Sequence, residues 1–283
     1  MNNQVELKSL NRSNIQDIIK LSRKIGWDYT EADLNTIFAC GNIYGHQYCN
    51  QVISCAALFP YENMESIGMV IVDPQFQGRG LGKAVTNACI SNFLDKPITL
   101  VATSEGLPVY NKLGFRQIGT LHKLIALRYL YDEAVEISDD LYVRDYMDTD
   151  FYDVVALDER AFGAKREIFL RNRIYQARSK LVVTDGSGKI SGFGLSILLP
   201  EMLLIGPIIA VNDSVAHYLI HRLAISYKGQ LRIDVISTKK ELINILLCSG
   251  FEVTNIPPVL MLNADMLPSR NSNLYAVAAQ AFG

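Results

Sequence analysis

Cysteine is scarce. The five residues, Cys40, Cys49, Cys55, Cys89 and Cys248, are odd in number and show no CxxC spacing. Neither a disulfide framework nor a zinc site is indicated, and reduced, mostly buried thiols are expected. Positive charge is not in excess either: 27 Lys and Arg against 29 Asp and Glu give a net charge of −2, so the basic face that drives nucleic-acid affinity is lacking. The opening MNNQVELKSLNRSN has no charged n-region followed by an apolar run, and a cytoplasmic chain is expected. No apolar run is long and unbroken. The best candidate, residues 190–211, is interrupted by Pro200-Glu201 and Gly206-Pro207; it predicts two buried strands joined by a turn, and no membrane span.

What is present is ordinary packing material, with 49% hydrophobic and 20% charged residues. At 283 residues two domains are favoured over one. The patterns predict a strand at 5–10, a helix with apolar Ile15, Ile18, Ile19 and Leu21, and a second helix at 30–38 capped by Thr30 and Asp33. Strands at 42–49, 51–59 and 65–73 follow, then an amphipathic helix at 81–94 whose apolar stripe is Val85, Ala88, Cys89 and Phe93. A strand at 97–102, a helix at 104–114 and two strands at 115–127 close the first half. The charged stretch 131–140 reads as a linker, and the same order then returns, ending in a strand at 257–263. YNKLGF (110–115) is echoed by LLCSGF (246–251), each a helix end with glycine at C′ followed by phenylalanine. The expected architecture is α/β with a mixed sheet, present as two tandem copies: 1–130, a linker 131–140, and 141–283. The apolar tail 271–283 is expected to be packed.

The densest glycine cluster is DPQFQGRGLG (73–82), placed between a strand and a helix. It is not a Walker A loop, which would need glycine at 77 and Ser or Thr at 84 where Gln77 and Ala84 stand. Nor is it a dinucleotide fingerprint, since Lys83 stands where a third glycine is required. What remains is a turn whose backbone N–H groups can face inward at the start of a helix, a setting that favours a polyanion such as a diphosphate.

The pattern Gln77-x-x-Gly80-x-Gly82 after the strand Val70-Ile71-Val72-Asp73-Pro74 resembles the pyrophosphate loop of the GNAT superfamily of acetyl-coenzyme A-dependent acetyltransferases. The helix ending Tyr110-Asn111-Lys112-Leu113-Gly114-Phe115 is similar to the same family's later signature. The resemblance implies a cofactor, acetyl-coenzyme A. Its pantetheine arm would pair with exposed backbone at Met69, Val70, Ile71 and Val72. Its diphosphate would be held by Gln77, Gly78, Arg79, Gly80, Leu81, Gly82 and Lys83, with Asn111 also in the cofactor site. Tyr110 would protonate the leaving thiolate, which suits a phenol, and Glu65 is the first candidate for the base, with Asp28, Glu31 and His46 as others. No metal is implied.

The second half departs from this pattern. After the strand 202–211 it reads Asn212-Asp213-Ser214, without glycine and with an acidic residue where a diphosphate would sit. Leu246 stands in the place of Tyr110. A degenerate copy is expected. His217 and His221 have helical i, i+4 spacing but no third metal ligand. The resulting expectation is an N-acetyltransferase acting on an amine of a small molecule, as a monomer or homodimer. Trp27, Asp28 and Tyr29 are suited to a cationic acceptor. A protein acetyltransferase, or a non-catalytic module that senses acetyl-coenzyme A, are the alternatives.

Overall fold

The structure, a computed structural model, describes residues 5–91, 96–130 and 136–282. The expected extension of the helix to 94, Phe93 included, and residues 131–135 of the expected linker lie outside this description. In chain order the elements are β1 (Glu6–Leu10), α1 (Ile15–Lys24), α2 (Glu31–Cys40), β2 (Asn42–Tyr48), β3 (Gln51–Pro60), β4 (Glu65–Val72), α3 (Leu81–Ile90), β5 (Ile98–Val101), α4 (Leu107–Lys112) and β6 (Arg116–Ala126). They continue with β7 (Leu141–Asp145), α5 (Phe151–Phe162), α6 (Glu167–Gln176), β8 (Ser179–Asp185), β9 (Ile190–Leu198), β10 (Met202–Ile209), α7 (Asp213–Ala224), β11 (Gln230–Ile236), α8 (Lys240–Cys248), β12 (Glu252–Asn255), β13 (Pro258–Leu262) and β14 (Leu274–Ala276).

Two compact units are interleaved along this chain. The first comprises residues 1–118, 259–266 and 281–283, and the second 119–258 and 267–280. This differs from a cut at 130–141 because two strands change sides. The strand read as the end of the second half, β13, pairs antiparallel with β5 in the first unit, Val259 opposite Val101 and Leu262 opposite Ile98. The two strands expected at 115–127 are one continuous strand, β6, whose residues 121–126 pair with β11 in the second unit.

The first unit's sheet runs β1-β2-β3-β4-β5-β13, antiparallel except for β4 beside β5. Alternation of side chains along β3 and β4 gives one face Ala56, Leu58 and Ile67, which pack with Val85 and Cys89 of α3 and with Tyr110 of α4. The α2 start is set by a capping box: Thr30 Oγ1 accepts from Asp33 N at 3.1 Å and Asp33 Oδ2 accepts from Thr30 N at 3.0 Å. The second unit repeats the plan, with β10 and β11 as its parallel pair. Its core gathers Leu219, Ile220 and Leu223 of α7 with Ile205, Ile233 and Leu246.

The sequence echo is also an echo of hydrogen bonds. Gly114 and Gly250 are both left-handed, at φ +93° and +86°. Phe115 N donates to Tyr110 O at 3.1 Å, and Phe251 N donates to Leu246 O at 3.0 Å. This helix-ending motif puts Tyr110 and Leu246 at equivalent positions.

Candidate active site

The glycine turn adopts the backbone its composition calls for. Gly78 and Gly80 lie at φ +75° and +76°, a region that other residues enter at a cost, and a Cβ built on either would meet nothing within 4 Å. The space in front of the turn is therefore open. Gly80 is the N-cap of α3 and brings no side chain to cap the first-turn amides, which are left for an external acceptor. Gln77, Gly78, Arg79, Gly80 and Lys83 are exposed, while Leu81 and Gly82 are half-buried. Arg79 lies over the Phe76 ring, 5.0 Å from its centroid. Asp73 anchors the turn from below, accepting from Gln75 N at 3.0 Å and from Lys24 Nζ at 2.6 Å. Burial works against its charge, but those hydrogen bonds and the Lys24 ammonium hold the Asp73 carboxyl below its ordinary range. These features fit a diphosphate.

Upstream of the turn, β4 parts from β5. The parallel ladder runs from Glu65 opposite Ile98 to Ile67 opposite Leu100, and among the described residues it goes no further. At this point β4 also bulges against β3: Gly68 faces Ala57 and Ile71 faces Cys55, so Met69 and Val70 together oppose Ala56. Met69 takes the strain, with φ +52° in a non-glycine residue. A bulge beside a strand gap leaves Met69, Val70, Ile71 and Val72 without a β5 partner among the described residues, while Met69 O accepts from Cys55 Sγ at 3.6 Å and Val72 O from Gln77 Nε2 at 3.4 Å. The residue at positive φ is Met69 and not the adjacent Gly68, so the bulge was not legible in the sequence.

Tyr110 is buried, its ring against the Gly106 backbone and edge-on to Phe115 at 6.0 Å. Burial, with a further contribution from Cys89, raises its phenol above the ordinary range, so it stays protonated. Asn111, next along α4, is exposed. Glu65 is wholly buried at the start of β4, with its register fixed opposite Pro60 and Ile98. Alternation places it on the face of Ile67, the face that Tyr110 packs against. Neither carboxylate oxygen makes a well-formed hydrogen bond among the described residues, and Lys96 Nζ stands 3.5 Å from Oε1 as an ion-pair partner at the limit of hydrogen-bond reach. Burial raises the Glu65 carboxyl, and the opposing Lys96 charge offsets this only in part.

The other candidates are His46, Glu31 and Asp28. His46 faces Ser54, with Nδ1 2.7 Å from its Oγ, and burial lowers the imidazole below its ordinary value. Glu31 is exposed at the start of α2. Asp28 is half-buried between Trp27 and Tyr29, whose rings lie 6.1 Å apart, and its Oδ2 is buried without a hydrogen-bond partner among the described residues.

The second unit has the same breaks in the same places but fills them. Its parallel pair runs from Met202 opposite Gln230 to Ile205 opposite Ile233, then β10 shifts register before Ile208. Beyond that break β14 occupies the gap, pairing with β10 through Ile208 and Ile209 and with β11 through Val235. Ala210 N donates to Asn273 O at 3.0 Å, and Val277 N donates to Asp234 O at 3.0 Å. The α7 start is closed as well, because Asn212 Oδ1 accepts from Val215 N at 3.0 Å and Asp213 adds negative charge in the first turn. His217 and His221 share one helix; Tyr129 Oη lies 3.4 Å from His221 Nδ1. Among the described residues no cluster of His, Cys, Asp and Glu has the makings of a metal site, and no helix is long and apolar enough to cross a membrane.

Comparison with known proteins agrees with this twofold plan. The acetyltransferase (GNAT) domain matches residues 41–123 and, separately, residues 154–276. The protein of Bacillus subtilis (strain 168) named as the uncharacterized N-acetyltransferase YitH is 35% identical over 282 residues, covering 98% of each chain. Among solved structures, a protein of Pyrococcus horikoshii described as an acetyltransferase superposes with a TM-score of 0.80 at 16% identity, over 100% of this chain and 97% of that one. A tandem GNAT protein from the clavulanic acid biosynthesis pathway gives 0.68 at 14%, over 92% and 98%. With two domain matches and a full-length relative whose identity is well above chance, the chain belongs to the GNAT family of N-acetyltransferases as a tandem of two such domains.

Proposed function

We propose that the first unit is the catalytic one and moves an acetyl group directly from acetyl-coenzyme A to the amine of a small molecule, both substrates being bound together. The observation that supports this most is the contrast between the two units: a bare helix start and an open strand gap in the first, a capped helix start and a filled gap in the second. The family generally draws on acetyl-coenzyme A, which supplies an acetyl group activated as a thioester. The amides of Gln77 to Gly82, with Arg79 and Lys83, hold its diphosphate. The bulged edge from Met69 to Val72 takes its pantetheine arm, and Asn111 borders the site.

Tyr110 gives its phenolic proton to the departing thiolate, and Glu65 accepts the proton that the amine must lose. A carboxyl raised by burial is a stronger base than an ordinary glutamate, which is what the task requires. Much of the rate comes from holding amine and thioester in line. The half-buried acid of Asp28 between Trp27 and Tyr29 favours a cationic small amine. A protein amine remains the second reading, since residues of this chain match the histone acetyltransferase TAP1 of Glycine max at 29% identity over 118 residues, 36% of this chain and 51% of that one.

Calorimetric titration with acetyl-coenzyme A tests the assignment. One site per chain is expected, lost in Gly80→Glu, which places a carboxylate in the anion cradle. Two sites, or binding that survives Gly80→Glu, would put the cofactor elsewhere.

A further inference from the structure

The tail of the chain reaches the first unit at the bulge. A Cβ on Gly68 would lie 2.2 Å from Ala281 O and 2.7 Å from Ala281 Cα, so backbone rests directly on backbone there, and only glycine at 68 allows it. Gly68 is the residue just past the end of the β4–β5 ladder and just before left-handed Met69. Phe282 anchors the contact: it is 1% exposed, its ring lies 5.2 Å from that of Phe59, and its carbonyl accepts from Tyr61 Oη at 3.0 Å. By alternation the tail sits on the face of β4 opposite Ile67, and so behind the edge that borders the gap. A strained non-glycine backbone persists only where its surroundings over-determine it. The three atoms nearest to a Cβ built on the bulge's own glycine all belong to Ala281 of this tail.

We propose that Ala281 and Phe282 are positioning residues for acetyl transfer: they brace the β4 bulge from behind and so fix the Met69 backbone that meets the acyl end of the cofactor. This rests on the catalytic reading of the first unit. The contacts of the tail on Gly68, Phe59 and Tyr61 bear on the acyl end of the cofactor's arm and not on the turn that takes its diphosphate, so losing them slows the chemical step more than it weakens cofactor capture.

Phe282→Ala removes the anchor. Tyr61→Phe, which keeps the ring and loses only the hydroxyl, is the milder variant should the first fail to fold. Three quantities are read on the full-length chain: acetyl-coenzyme A affinity by calorimetry, kcat and KM for amine-dependent release of coenzyme A, and amide exchange residue by residue. The expected result is affinity and amine KM within about twofold of wild type, kcat reduced about tenfold in Phe282→Ala and about threefold in Tyr61→Phe, and faster exchange at 67–71 while α3 is unchanged. Unchanged kcat, or exchange that accelerates equally throughout the first unit, would overturn the proposal. If the wild type bound no acetyl-coenzyme A, the catalytic reading would fail by itself, and selective exchange at 67–71 would still decide whether the tail braces the bulge.

Discussion

At the scale of single residues, the two groups proposed for proton transfer owe their places to different kinds of signal. Tyr110 is fixed by a helix end whose glycine and phenylalanine set its phase, and the bond from Phe115 N to Tyr110 O reproduces that phase. Glu65 was legible only as a strand residue; its place opposite Ile98 of β5 and its ion pair with Lys96 involve residues that the local pattern does not contain. Tyr110→Phe keeps the packing against Phe115 and removes the acid, so kcat should fall about 10² to 10⁴-fold with acetyl-coenzyme A affinity unchanged, as stopped-time assays and calorimetry would show. Glu65→Gln should lower kcat/KM and abolish its fall at acid pH, the fall that follows protonation of the base. Its effect on stability has a definite sign. The folded-state value is raised above the ordinary 4.5, so the wild type loses stability as pH rises from that value through the folded one. Glu65→Gln should therefore raise Tm at pH 7 and give no gain below about pH 4, as paired thermal melts would reveal.

Among elements, those with a strong local signal appear where periodicity puts them. α2 begins at the Thr30 box, and residues 190–211 form β9 and β10 with a turn between them. The partnership of strands was not legible, because an apolar run such as that of β13 carries no mark of which sheet it joins. Short β14 was read only as a packed tail, since three residues are too few to show alternation. The exchange of β13 makes a prediction at this scale. A fragment ending at residue 130, which contains every element of the first unit up to α4, lacks the strand that covers β5. That edge would be left open, and the fragment should show no cooperative melt and should associate in solution, as light scattering and circular dichroism would report. A well-behaved monomer would mean that β13 is dispensable.

At the scale of the whole chain, the internal duplication is readable in the repeated order of elements and in the Gly-Phe pair, and two separate domain matches bear it out. The inequality of the copies was half visible: Asn212 and Asp213 stand where the first half has its glycines, whereas the filling of the gap by β14 depends on a segment distant in sequence. That filling has a consequence for binding. A peptide tethered within its own groove competes at an effective concentration of about millimolar, and it is present in every molecule at every moment. Glycines introduced near residue 212 would not by themselves open the second unit, because the tethered strand would still hold the groove. The Asn212 cap and the resident strand would have to change together before the second unit could take an anionic cofactor.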